Sequence, residues 1–352
     1  MSDQLTATEQ RLLDRLQQGF PLEEDPYRRL GEGLGLAPEE VFSLTAALHR
    51  RGVIRRLGPI YDARALGYTS TLVALEVAEE ALAEVVRQVN AFPEVTHNYE
   101  RRHELNCWCT VVALGEARRR EVVASIARLP GVRRALELPV RRRYKLQLAF
   151  PLADGARPRR GRTPARCGRM PEASELWGEG RAPASPMRAG ASSEVAMLDE
   201  ADRKLVALTC SGLPLVRDPY SRLADELGLT AGEVVERLSR LRAGGMIRRV
   251  AAILDQRRVG LAGNVLVAWV VAEGRADEVG EHLARRWEVT HCYLRAPAAG
   301  WPYNLYAMVH GPSEEICRRF VEQVTGELKL EPPAFLPTVC ELKRAPLPLG
   351  EG

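Results

Sequence analysis

Apolar positions along the chain follow two periods, and the pair of periods occurs twice. From about Gln10 to Arg56 the spacing is helical: one segment runs through Leu12, Leu13 and Leu16, a second from Asp25-Pro26-Tyr27 to Leu34, and a third from Ala37-Pro38 to Arg51. Pro38 in a first turn followed by Glu39 and Glu40 is a helix start, and Gly52 ends that helix. Val53 to Asp62 then reads as a short extended ribbon, so the first 62 residues predict a winged helix-turn-helix module. The period next shifts towards two. Thr69 to Val77 alternates, Glu79 to Phe92 returns to helical spacing through Leu82, Val85, Val86 and Val89, and strands follow around His97 and from Leu105 to Leu114. A helix from about Glu116 to Leu129 and a last strand from Val132 through Leu148 complete the order strand-helix-strand-strand-helix-strand. That order predicts a ferredoxin-like α+β domain over residues 63–150, a fold that says little about function.

The whole pattern repeats. Asp25-Pro26-Tyr27 matches Asp218-Pro219-Tyr220, Ile54-Arg55-Arg56 matches Ile247-Arg248-Arg249, and Asp62 and Gly67 match Asp255 and Gly260, all at an offset of 193 (218 − 25). A constant offset over that span marks a tandem duplication. The second helix-turn-helix falls at 196–256 and the second ferredoxin-like domain at 257–352. Its strands and helices are expected at Asn264 to Ala272, Ala276 to Arg286, Val289 to Arg295, Tyr303 to Val309, Glu314 to Gly326 and Ala334 to Leu342. Between the copies, residues 151–195 are rich in Pro, Gly, Ala, Ser and Arg and lack aliphatic periodicity, the composition of a linker. The two ferredoxin-like halves are expected to pair within the chain as a pseudo-dimer, with a homo-oligomer reachable through exposed sheets.

Charge narrows the function. The linker carries eight arginines and five acids, +3 of the net +4, which leaves +1 for both folded portions. A domain that grips DNA through phosphates is normally far more basic, and Glu39 and Glu40 occupy the early turns of the first recognition-like helix, so DNA is not the expected partner. Seven scattered cysteines read as reduced thiols, with Cys107 and Cys109 as small buried side chains rather than metal ligands. The polar amino terminus and the longest apolar run, Val265 to Ala272, well short of roughly 18 residues, point to a cytoplasmic protein off the membrane.

The candidate chemistry lies in His97-Asn98-Tyr99-Glu100-Arg101-Arg102-His103-Glu104-Leu105-Asn106-Cys107-Trp108. If Val95 to Arg101 is a regular strand, Val95, His97, Tyr99 and Arg101 share one face, which lines a proton donor, a hydroxyl and a fixed cation along one surface. The set returns as His291-Cys292-Tyr293-Leu294-Arg295 at an offset of 194 (291 − 97), followed by Trp301 and Asn304. The asparagines are offset by 198 (304 − 106), so the second hairpin loop is four residues longer.

Helix-turn-helix followed by ferredoxin-like domain resembles the layout of the Lrp/AsnC regulators. The signature His97-Asn98-Tyr99-x-Arg101-x-His103-x-x-Asn106-x-Trp108, with His291-Cys292-Tyr293-x-Arg295 and Trp301-Pro302-Tyr303-Asn304 behind it, is similar to the paired signatures of the siroheme decarboxylases, here fused in one chain. The resemblance implies conversion of siroheme to didecarboxysiroheme, as on the way to haem d1, with no cofactor beyond the iron of the substrate. It implies His97 as proton donor, with His291 its equivalent, His103 as a second acid, Tyr99 and Tyr293 as orienting groups, and His97 or His103 as an axial ligand to the siroheme iron. Arg55, Arg56, Arg101, Arg248, Arg249 and Arg295 are then expected to hold retained carboxylates through their planar forks. Asn106, Trp108, Trp301 and Asn304 complete the substrate set, with the reacting acetate in a dry pocket near the tryptophans. His103 has no counterpart in the second copy and favours the first half if only one works; His49, His282 and His310 receive no role. A DNA-binding regulator and a haem sensor without turnover remain the alternatives.

Overall fold

A computed structural model describes residues 5–146, 149–152 and 198–348. Each half opens with three helices: α1 (Ala7–Gln18), α2 (Pro26–Glu32) and α3 (Pro38–Arg50) in the first, α6 (Glu200–Thr209), α7 (Pro219–Leu227) and α8 (Ala231–Ala243) in the second. Local sequence sets their ends. Thr6 and Glu9 form a capping box on α1, Thr230 and Glu233 form another on α8, and α2, α3 and α7 each begin with proline, which needs no partner for a missing N–H. The ribbons that follow, β1 (Ile54–Tyr61) and β6 (Ile247–Leu254), pair antiparallel with each other. Neither therefore hangs free as a wing. The two helical modules share one core, in which Leu12, Leu16, Tyr27 and Leu48 join Tyr220, Leu223 and Leu238.

The ferredoxin-like elements are β2 (Tyr68–Val77), α4 (Leu82–Ala91), β3 (Val95–Arg101), β4 (Cys107–Leu114), α5 (Gly115–Ala127) and β5 (Val132–Leu146). Their second copies are β7 (Gly263–Trp269), α9 (Ala276–Ala284), β8 (Val289–Arg295), β9 (Leu305–Gly311), α10 (Glu314–Glu327) and β10 (Ala334–Arg344). The sheets do not remain separate. Among the described residues eight strands close into a barrel in the order β10-β3-β4-β2-β5-β8-β9-β7. The long last strand of each copy closes it: β5 pairs with β2 up to Pro139 and with β8 from Val140, while β10 pairs with β7 up to Pro337 and with β3 from Thr338.

Alternation then sorts the side chains. Val73, Leu75, Cys107, Cys109 and Val111 face α4 and α5, and Val265, Val267, Cys292 and Val309 face α9 and α10. Trp108, Leu136, Leu138, Leu266, Trp301, Tyr306 and Leu336 fill a core between the two sheets. Among the described residues one face of each sheet meets the other sheet and the opposite face carries helices. No described helix is long and apolar enough to cross a membrane. The linker at 151–195 lies almost wholly outside the described residues; at its start Phe150 is buried, and its backbone N–H and carbonyl both bond the Gln17 side chain of α1.

Cutting the chain at a protease site inserted near residue 175 should leave both fragments in one particle by light scattering, because two strand seams and the β1–β6 ribbon join them. Separation of the fragments at micromolar concentration would contradict this closure.

Candidate functional site

In both copies the pairing of the motif strand with the next strand of its own sheet, β3 with β4 and β8 with β9, is irregular at one place. Register shifts between Val95 and His97 on β3, and between Val289 and His291 on β8. A bulge re-aims side chains. Val95 accordingly packs with Cys107 and Val111 on the helix side, rather than sharing the face of His97, Tyr99 and Arg101 as strict alternation predicts. In a regular strand adjacent side chains point to opposite faces. Here the bulged Thr96 and His97 touch, Oγ1 to Nδ1 at 3.1 Å, and Thr290 and His291 do the same at 2.9 Å.

Each motif lies within electrostatic reach of the other. His291 lies close enough to His97, His310, Arg344 and Arg295 for their charges to oppose a proton on it; burial and that repulsion push its pKa down to about 3. Burial, with Arg344 adding to it, pushes His97 down to about 4. His97 and Tyr99 stack at 6.4 Å between ring centres, and His291 and Tyr293 lie 6.3 Å apart. Burial raises both phenols above their ordinary range, so each stays a neutral hydrogen-bond donor.

Arg101 and Arg295 are 4% and 9% exposed, and among the described residues neither forms an ion pair. Each instead reaches into the opposite half. Arg101 donates to the Leu336 carbonyl at 3.1 Å and to Thr338 Oγ1 at 3.0 Å; Arg295 donates to the Leu138 carbonyl at 2.6 Å. The guanidinium carbons lie 5.4 Å and 5.1 Å from the ring centres of Tyr99 and Tyr293. In each the ε N–H is buried without a partner among the described residues, and burial lowers both groups to about 10. A buried cation without a counter-charge is costly, so these groups are arranged for an anion supplied from outside.

Other residues singled out from sequence are engaged elsewhere. Arg55 pairs with Asp255 at 2.7 Å and Glu341 at 2.7 Å, and Arg248 with Asp62 at 2.8 Å, so the paired ribbon already neutralises them. Arg56 donates to the Cys210 carbonyl of the second helical module, and Arg249, like Arg56, is half-buried; partial desolvation lowers both. Asn106 bonds both the N–H and the carbonyl of Val77, at 3.0 and 2.9 Å, and Asn304 grips Val271 identically at 2.9 and 2.7 Å. These amides are struts between strands. Trp108 and Trp301, 1% and 3% exposed, pack 6.0 Å apart and give their N–H groups to the Leu105 carbonyl and the Tyr306 hydroxyl. They belong to the barrel core. His103 accepts the Leu105 N–H on Nδ1 and packs edge-on against Trp301, and it lines an outer groove of mixed charge with Glu76, Glu100, Arg101, Arg102, Asn106 and Arg133.

Sequence reasoning missed three site residues. Arg143, on β5, lies in the field of Tyr293 together with Arg248 and Arg64. Arg344, on β10, pairs in register with His97. His310, on β9, lies 2.8 Å from Thr290 Oγ1. The run Arg141-Arg142-Arg143 at a strand end was the available signal for the first.

Both halves match two family models: the AsnC-like ligand binding domain over residues 65–145 and 258–343, and the siroheme decarboxylase NirDL-like HTH domain over 9–55 and 202–248. A siroheme decarboxylase of Hydrogenobacter thermophilus is 31% identical over 338 residues, 95% of this chain and 92% of that one. The chain belongs to the siroheme decarboxylase family. The crystal structure of the siroheme decarboxylase NirDL matches it with a TM-score of 0.68 at 28% identity, covering 97% of this chain and 93% of that one. The same score and identity hold for NirDL in co-complex with an iron-uroporphyrin III analogue, over 98% and 95%. The NirH subunit of the siroheme decarboxylase of Paracoccus pantotrophus is 44% identical over 142 residues, 40% of this chain and 84% of its own length.

Because the folded histidines hold a proton less readily than the unfolded chain, the unfolded state binds more protons between about pH 4 and 6.5, and stability rises with pH through that window. His97→Gln should flatten part of this rise in urea unfolding measured from pH 4 to 7. An unchanged slope would show that His97 is not held neutral.

Proposed function

We propose that the chain removes carbon dioxide from two acetate side chains of siroheme, giving didecarboxysiroheme. The observation that carries the reading is two arginines, Arg101 and Arg295, buried without an ion pair among the described residues, each beside the Tyr of its own motif and reaching into the opposite half, in a chain similar over nearly its whole length to siroheme decarboxylases. Each acetate, CH2–CO2−, loses CO2. The bonding electron pair stays on the CH2 carbon, spread into the conjugated ring, and one proton converts that carbon to a methyl group. The protein must therefore hold retained carboxylates and deliver a proton.

Arg101 and Arg295 supply fixed positive charge, and Tyr99 and Tyr293 donate hydrogen bonds. The histidines are neutral at pH 7 in the free protein. Carboxylates arriving beside them raise their proton affinity, so binding recruits the proton that decarboxylation consumes. The tight grip belongs on retained carboxylates, because a clamp on the departing one would stabilise the ground state.

The halves are unequal in charge. Arg64, Arg143, Arg248 and Arg295 surround Tyr293, with Asp62 among them, whereas Arg55, Arg101 and Arg344 surround Tyr99 with Asp255 and Glu341. Glu341 stands where symmetry places Arg143, at the offset of 198 that also relates Pro139 to Pro337. A polyanionic macrocycle is therefore drawn to the Tyr293 side, against the preference for the first half that His103 suggested. DNA recognition has little support: on α8, Arg237 and Arg240 are tied to Asp199 and the buried Asp202.

Anaerobic incubation with siroheme should yield a product lighter by two CO2; tight binding with no mass change would leave a sensor. Arg143→Gln should weaken siroheme binding about tenfold, the worth of roughly one charge-assisted hydrogen bond, while Glu341→Gln should not weaken it. Equal losses in absorbance titration would contradict the charge asymmetry.

A further inference from the structure

His310 is outside the sequence motif, yet it is 3% exposed and completes a line of three side chains. Its Nε2 is 2.8 Å from Thr290 Oγ1, and that oxygen is 2.9 Å from His291 Nδ1. A hydroxyl carries a single proton, so Thr290 donates to one ring and accepts from the other. The direction of the line decides where His291 keeps its own proton.

His310 sets that direction. Its Nδ1 is buried and has no hydrogen-bond partner among the described residues. A neutral His310 with its proton on Nδ1 would bury an orphan N–H; with its proton on Nε2 it buries only an unfilled acceptor, the more tolerated of the two. The proton of His310 therefore sits on Nε2 and goes to Thr290. Thr290 then donates to His291 Nδ1, which leaves the proton of His291 on Nε2, the nitrogen that makes no hydrogen bond among the described residues. Burial, with Arg101 and Arg344 adding to it, keeps His310 neutral, with its pKa near 3.

The first half lacks this device. Val112 occupies the position of His310 (310 − 112 = 198), and the Thr96 hydroxyl reaches instead towards the Thr110 carbonyl, 3.5 Å away. We propose that His310 is a positioning residue which, acting through Thr290, fixes neutral His291 in the Nε2–H form, so that the second half presents an N–H hydrogen-bond donor to the substrate. The identity of that substrate rests on the function proposed above; the tautomer does not.

Nitrogen-15 shifts of the His291 ring, read in the protein without siroheme, test the tautomer directly. The wild type and His310→Gln, whose amide N–H can also donate to Thr290, should show protonation at Nε2. Thr290→Val and His310→Leu should lose that preference. With siroheme, these two variants should lower kcat at least about tenfold with KM within about twofold, while His310→Gln keeps at least about half of kcat. Protonation of His291 at Nδ1 in the wild type overturns the proposal. So does a His310→Leu variant with unchanged tautomer and kcat, or a His310→Gln variant as impaired as His310→Leu, which would reduce His310 to packing. A wild type that releases no CO2 defeats the decarboxylase reading and leaves the tautomer to be decided by the shifts alone.

Discussion

Two guanidinium groups enclosed without carboxylates, Arg101 and Arg295, are the constraint on which the rest of the molecule turns. Desolvating a cation costs several kcal/mol unless something offsets it. Here the offset comes from across the pseudo-twofold axis: each arginine donates to a carbonyl in the last strand of the opposite copy, Leu336 or Leu138. Neither half alone can provide that carbonyl. The closed barrel, the exchange of partners by β5 and β10, and the placement of the motif strands next to those exchanged strands all serve the same arrangement.

What the carbonyls leave unfinished is charge. A carbonyl is a dipole and does not neutralise a guanidinium, and each ε N–H stays buried and unpaired. The fold thus keeps stored positive potential beside two neutral histidines and two neutral phenols, an environment that rewards a polyanion and tightens the hold on a proton when one binds. Helix-turn-helix modules that would otherwise face DNA are spent on a common core and a paired ribbon, and Asp62 and Asp255 at the ribbon ends tie down Arg248 and Arg55.

Much of this was legible in the chain. Hydrophobic period, proline starts and the constant offset gave the duplication and the element order, because those signals are local. The rows His-Tyr-Arg were legible because side chains alternate along a strand. Barrel closure was not, since nothing local in β5 or β10 says which sheet their second halves join. The asparagines and tryptophans of the motif looked like substrate ligands, yet they hold the hairpins and the barrel core: a motif marks residues a site requires without separating contact from support. Val95 was misplaced by a bulge that the sequence does not announce. His310 was passed over because its partner, Thr290, is 20 residues away and meets it only through strand pairing.

The account makes the two copies one composite site, with His97 and His291 in each other's field and the cations distributed unequally around them. Its most direct test is the stoichiometry of siroheme binding, by anaerobic absorbance titration of the intact chain at concentrations well above the dissociation constant. A sharp break at one siroheme per chain is the predicted result. A break at two would mean that each half holds its own macrocycle, and would contradict the shared site.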